Sequence, residues 1–389
     1  MKNIYLDHGA TTPVHPQVIE AMLPYWTDYY GNPSSGHAYG RAASFGLEEA
    51  RRTMADLLHA QPAEIVFTGC GSESDNLAVR GAMWAARAND LGNHLITSCL
   101  EHEAVLETAV QLRDYFDFDL TILPVDEYGR VSPADVQAAI RPDTALITVM
   151  AANNEIGTLQ PIQEIGAMAR DYGILFHTDA IQTAATTRWN MPEMPIDLLS
   201  IAPHKFYGPK GVGVLYVRQG IELVSSLTGG GQEDGRRSGT VNVAFAVGAA
   251  KAFTLAQNEM DERIAHYTTL RDRLIQGILA AIPTEDIILT GHPDERLPHH
   301  ASFALRHLSG NDLLMHLDMA GISASSGSAC KTGSPKPSPI LEDIGLGAEW
   351  TTGGLRFTVG AQNTPQDIEY AINTLPGVVA KVGQISLSL

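Results

Sequence analysis

Between residues 64 and 217, short apolar runs alternate with longer stretches in which apolar residues recur every three or four positions. The runs are EIVFT (64–68), HLITS (94–98), LTILPV (120–125), ALITVMAA (145–152), ILFHTDA (174–180), LLSIA (198–202) and GVLYV (213–217). Their length and near-continuous apolar character predict strands buried on both faces. The intervening NLAVRGAMWAARA, HEAVLETAVQLRDY and PIQEIGAMARDYG carry helical spacing, the last ended by Gly173. Strands alternating with amphipathic helices predict an α/β fold, a mostly parallel sheet covered by helices on both faces.

The pattern changes after Asn242. Residues 242–282 predict a helical stretch long enough to bridge two domains. Beyond it come a strand ASFALR (301–306), a helix NDLLMHLDMAG, a strand near ISAS, a Gly/Ser/Pro loop (326–339), a strand LRFTV (355–359) and a helix after Pro365. This α+β segment predicts a smaller second domain.

Composition narrows the function classes. The 389 residues are 44% hydrophobic and 18% charged, with 26 basic against 44 acidic side chains and a net charge of −18. That balance argues against a nucleic-acid binder relying on phosphate neutralisation. Cys70, Cys99 and Cys330 are widely spaced and form no CxxC pair, so neither a disulfide framework nor a zinc site is expected. The opening MKNIYLDHGATTPVHP has no secretory pattern and no apolar run reaches membrane-spanning length, so a reducing, cytoplasmic compartment and no membrane anchor are expected.

Ligands of doubly wound sheets collect at the carboxyl ends of the strands. After EIVFT comes Gly69-Cys70-Gly71-Ser72, opening a helix whose N–H groups can cradle a phosphate, although a simple tight turn capped by Ser72 has the same sequence. After HLITS comes Glu101-His102-Glu103; HExxH fails because position 106 is Leu, and His102 is open to a capping role or a catalytic one. Asn153 and Asn154 follow the fourth run and suit an Asx turn. Asp179 ends the fifth run, with Gln182 beyond, and needs a cation or proton donor if buried. His204 and Lys205 end the sixth, in SIAPHKFYGPKGVG. A strand-end lysine that is desolvated can form a Schiff base. A buried Asp179–Lys205 ion pair would account for two of these groups and leave the others unexplained. Pyridoxal phosphate needs a lysine, an acid opposite its ring nitrogen and a phosphate cradle.

The motifs YLDHGATTPVHP, EIVFTGCGSESDNLA, NNEIGTLQPI, HTDAIQ, PHKFYGPKGVG, GGGQEDGRRSGT and SSGSACKTGSPKPS resemble those of class V aminotransferase-fold enzymes, specifically cysteine desulfurases of the nitrogen-fixation or iron–sulfur-assembly type. The resemblance implies a homodimer of the pyridoxal-phosphate fold type I. Its large domain would hold a mainly parallel seven-stranded sheet over residues 13–260. Residues 1–12 and 261–389 would form a small α+β domain carrying the catalytic cysteine loop. It further implies Lys205 as the cofactor's Schiff-base lysine, Asp179 opposite the pyridine nitrogen and His102 against the ring. Gln182 and Asn154 would bond the ring oxygen. Gly71, Ser72 and His204 would hold the phosphate, with Thr240 arriving from the partner subunit. Arg356 and Asn154 would bind the substrate L-cysteine, and Cys330 would take its sulfur as a persulfide for a sulfur-acceptor protein.

Selenocysteine lyases and aminotransferases share this machinery; an aminotransferase needs no loop thiol, so Cys330 points away from it. A non-catalytic scaffold is at odds with intact Lys205, Asp179 and Cys330. Three positions depart from the pattern: Ala202 where a hydroxyl is common, Asp234 where a basic residue is, and His8 where Asn is usual.

Overall fold

The computed structural model describes residues 3–326 and 337–386. Its centre is a seven-stranded sheet in the order Ile65–Thr68, Gly213–Val217, Leu198–Ile201, Leu175–Asp179, Thr144–Thr148, His94–Ser98, Asp119–Leu123. Gly213–Val217 runs antiparallel to both its neighbours, and every other pair is parallel. The seven apolar runs are these strands. Two end earlier than their apolar character suggests: Pro124 has no N–H for the ladder, and the fourth strand leaves the ladder at Thr148.

The alternation of side chains across the sheet defines two cores. Phe67, Ile96, Ile147, Phe176, Leu199 and Val214 face one, completed by the helices Ala38–Leu57 and Val243–Asn258. Val66, Leu95, Leu146, Leu198 and Leu215 face the other, against the helices Gly71–Ala88 and Glu103–Phe116. Gly71–Ala88 lies close on the sheet because Ala78, Ala82 and Ala86 face it, all buried. The period of two in the strands and the small helical face are two halves of one packing solution.

A separate apolar cluster joins Ile4 and Leu6 to Leu270, Leu274, Phe303, Phe357 and Leu375. It sits on an antiparallel sheet ordered Gly354–Thr358, His300–Leu305, Ile287–Leu289, while Ile4–Tyr5 pairs in parallel with Ile322–Ser323. Ile287–Leu289 has no counterpart in the sequence expectation, being three residues long.

The stretch 242–282 is two helices, Val243–Asn258 and Met260–Ala281, rather than one. Glu259 breaks them at φ −100°, ψ 9°, and its carboxylate holds Arg263 at 2.7 Å. The first helix packs in the large sheet's core and the second in the smaller cluster, so the break is where the chain changes cores. Among the described residues, no helix is long and apolar enough to cross a membrane.

Candidate active site

Five of the parallel sheet's polar strand ends and the N-terminal segment meet at one cavity of about 320 Å³. Gly71, Ser72, His102, Asn154, Asp179, Gln182, His204, Lys205 and Arg356 all line it. Gly9, Ala10, Cys70, Met150, Ile181 and Ala202 complete the wall. Thr240 is exposed and does not line the cavity of its own chain. Cys330 lies outside the described residues.

Lys205 ends a 3₁₀ turn, Pro203–Lys205, that follows its strand directly. The N-terminal segment clamps that turn: the Thr12 N–H and hydroxyl both donate to the His204 carbonyl at 2.9 Å, and Thr12 Oγ1 accepts the Tyr207 N–H at 2.6 Å. Lys205 Nζ donates to the carbonyls of Gly9 (2.7 Å) and Ala10 (2.8 Å). Burial, with the nearby Arg356 charge second, pushes its pKa down to about 8. A lysine so placed releases its proton far more readily than one in water, as a nucleophilic amine must.

Asp179 is 4% exposed and accepts the Ile181 N–H at 2.8 Å. Burial raises its pKa, while His102 and Lys205 act in the opposite direction. Asp75, one turn into the adjoining helix, is fully buried beside Ser200, with Oδ1 3.7 Å from His177 Nε2. Burial and the Asp179 charge push it well above the carboxylate range. A cationic N–H brought to Asp179 would relieve this accumulation of buried acid, and a protonated pyridine nitrogen has that chemistry.

The helix Gly71–Ala88 starts at Cys70, not at Ser72, and Cys70 supplies no side-chain cap. Its first N–H groups therefore open into the cavity, as an anion requires. Gly71 is needed there: a Cβ would come within 2.5 Å of Ile181 Cδ1 and 3.1 Å of Ala202 Cβ. Ala202 is thus packed against the cradle and offers it no hydroxyl. His204 Nδ1 meets Thr11 Oγ1 at 3.2 Å, and burial followed by the Lys205 charge drives its pKa down to about 4.

His102 both caps a helix and faces the cavity. Its Nδ1 accepts the Ala104 N–H at 3.0 Å at the start of Glu103–Phe116, which leaves the ring's proton on Nε2. The buried Glu101 beside it ties two strand ends together, accepting the Ser98 hydroxyl (3.0 Å) and the Met150 N–H (2.8 Å). The Asx turn is made by Asn153, whose Oδ1 accepts the N–H groups of Glu155 and Ile156. That leaves the Asn154 side chain free of turn duty.

Arg356, from Gly354–Thr358, donates to the Asn154 carbonyl (2.8 Å) and to Asp7 (3.0 Å). Its Nε is buried without a partner. A fixed guanidinium with donors to spare suits a substrate carboxylate. Asp234, where a basic residue was expected, is exposed and pairs with Arg236 at 3.4 Å. Arg237 is engaged by Glu73 at 2.7 Å. Sequence inspection missed Gly9, Ala10 and Asp7 as site components, although YLDHGATTP had marked the segment. It missed Asp75 altogether, since one acid in a helix carries no signal.

The chain and its fold have recognisable relatives. The chain belongs to the aminotransferase class-V family, whose profile matches residues 4–371. It is 44% identical over 385 residues to the cysteine desulfurase IscS of Dictyoglomus turgidum, covering 99% of this chain and 96% of that one. The cysteine desulfurase IscS of Methanosarcina thermophila is 45% identical over 385 residues, covering 99% and 94%. A solved NifS-like protein superposes with a TM-score of 0.90 at 32% identity, over 97% of this chain and 99% of that one. A structure of SspA in complex with cysteine matches with a TM-score of 0.77 at 35% identity, over 92% and 98%.

Proposed function

We propose that this chain is a cysteine desulfurase that uses pyridoxal phosphate, converting L-cysteine to L-alanine and passing the sulfur through Cys330. The observation that carries this reading is the convergence at one cavity of Lys205, Asp179, the uncapped helix start at Gly71 and the free donor of Arg356. The full-length relatives that bear the name cysteine desulfurase support it.

When bound, the cofactor supplies an electron sink for the substrate's α-carbon. Lys205 gives the amine that holds its aldehyde, and its pKa of about 8 keeps part of the population uncharged near neutrality. Asp179 stabilises a protonated ring nitrogen, and Gly71, Ser72 and His204 hold the phosphate. Gln182 and Asn154 meet the ring oxygen, and Thr240 joins the phosphate site from the second subunit of a homodimer. Arg356 orients the substrate carboxylate while Asp7 and the Asn154 carbonyl hold the guanidinium still. His102, with its proton on Nε2, is set to donate. The Cys330 thiolate takes the substrate's sulfur as a persulfide and hands it to a sulfur-acceptor protein of iron–sulfur assembly or thiolation. Cytoplasmic location and the large and small domains at 13–260 and at 1–12 with 261–389 belong to the same proposal.

The deciding experiment is alanine release from L-cysteine, with pyridoxal phosphate and a reductant. Wild type should release alanine and Cys330→Ser almost none. Equal release from both would remove Cys330 as the nucleophile and favour a lyase that works without that thiol.

A further inference from the structure

Behind Lys205 lies a second cavity of about 30 Å³. Lys205, Ile181 and Gln182 line both cavities and form the wall between them. His8, Tyr207, Tyr267 and His299 enclose the far side, with Arg263 and the half-buried Ala185 and Thr186 also in the lining.

His8 is 3% exposed, and neither ring nitrogen makes a well-formed hydrogen bond, although the Tyr5 carbonyl and the Asn363 side chain lie close enough to favour its charged form. The nearest amide, Asn363, donates to the Tyr5 carbonyl (3.0 Å) and accepts the Gly360 N–H (2.7 Å). The imidazole cannot swing away, because it lies against Gly360, where a Cβ would sit 2.4 Å from it, and edge-on to Tyr5. His299 Nδ1 is a second buried orphan. Tyr207 Oη accepts the Ala361 N–H at 2.7 Å and lies 3.4 Å from Tyr267 Oη. Burial keeps both imidazoles neutral, with pKa values pushed to about 4 for His8 and about 3 for His299. A neutral His8 thus offers one N–H and one bare nitrogen, and His299 offers its Nδ1. The charged groups around them are Asp7, Arg271, Lys205 and Arg356, together with Arg263 in the cavity wall.

Orphaned polar atoms around a small buried space are where proteins hold water, and a water occupies about 10–15 Å³ of such volume with 2–4 polar partners. We propose that this cavity binds one or two waters between His8 and His299, and that they give Lys205 a proton-exchange route separate from the cavity that takes cofactor and substrate. On the catalytic side the lysine meets two carbonyl oxygens, which accept a hydrogen bond but take no proton. His102 is committed as a donor at Nε2. A water behind Lys205 can accept its proton as it passes one of its own through the second water to solvent, so neither imidazole has to remain charged.

The proton role rests on the reading of Lys205 as the amine that receives the cofactor aldehyde; the water site does not. A high-resolution crystal structure of the full chain should show water within hydrogen-bond distance of His8 and His299. A dry cavity overturns the proposal. Stopped-flow absorbance should then follow capture of pyridoxal phosphate by the apo protein. His8→Phe, which displaces the water, should slow capture by about ten-fold or more. His8→Asn, which keeps a donor and an acceptor, should restore most of the rate. Unchanged capture in a folded His8→Phe protein would overturn the proton route. Loss of all capture in Lys205→Ala tests the lysine's role separately. The crystallographic outcome holds whether or not His8→Phe folds.

Discussion

The two ends of the central sheet treat polar groups in opposite ways. At the amino ends of the parallel strands every prominent charge is matched. Arg141 pairs with Asp119 (2.6 Å) and Asp143 (2.7 Å), and His94 joins Thr144 (2.8 Å) and Thr121 (2.9 Å). Arg218 donates to Asp197 and to the carbonyls of Met191, Met194 and Ile196. At the carboxyl ends, Glu101 Oε2 and Arg356 Nε are buried without partners. Satisfied polarity holds a fold together, whereas buried polarity left open marks where a ligand is expected to complete it.

Changes at the carboxyl end should therefore alter chemistry more than stability, beginning with the largest effect. Lys205→Ala should abolish both the visible absorbance of bound pyridoxal phosphate and alanine formation, with its denaturation midpoint near that of wild type. Retained absorbance with turnover would break the contrast at its centre. Arg356→Lys keeps the charge and loses the fork. Losing one charge-assisted hydrogen bond of about 1.5–3 kcal/mol should lower kcat/KM for cysteine by about 10- to 150-fold, mainly through KM.

Between the two ends lies His177, fully buried, bonded to Thr148 Oγ1 (2.8 Å) and Ser200 Oγ (3.0 Å), with burial pushing its pKa to about 3. The unfolded chain takes up a proton at this group near pH 6.5 and the native chain does not, so stability falls as pH drops from 6.5 toward 3. Each pH unit in that window removes about 1.4 kcal/mol for such a histidine. Glu101 acts in the other direction. Burial lifts its pKa to about 8, so its cost to stability grows as pH rises from about 4.5 to 8. Urea midpoints across pH 4–8 should give a dome that shifts toward acid in His177→Gln. An unchanged acid limb would sever this residue from the pH response.

Legibility in the sequence divides along the same line. Six of the seven strands were visible because they are buried on both faces and rich in apolar residues. The edge strand Asp119–Leu123 is largely exposed and was visible through its apolar and β-branched residues alone. The lysine, the acid and the helix start were visible because each follows such a run directly. What stayed hidden depends on contacts across the whole chain. Asp7 meets Arg356 across 349 positions, and the Gly9 carbonyl meets Lys205 across 196. No local pattern encodes either pairing. Ile287–Leu289 escaped because three residues carry no period, and the break at Glu259 because a helical spacing persists on both sides of it.

The amino end supplies the smaller effects. Arg218→Ala would leave three carbonyls and Asp197 without their shared donor, costing about 1–3 kcal/mol in urea unfolding while the cofactor spectrum and KM stay at wild-type values. Arg141→Ala should do least. Its guanidinium and both its aspartates are exposed, at 43%, 55% and 41%, so water replaces the lost contacts and salt already screens them. The denaturation midpoint and the activity should both match wild type. A clear fall in stability would mean that this end of the sheet is held by its surface charges. The boundary between the two ends would then lie in how tightly each is packed, and matched polarity would no longer separate the structural end from the chemical one.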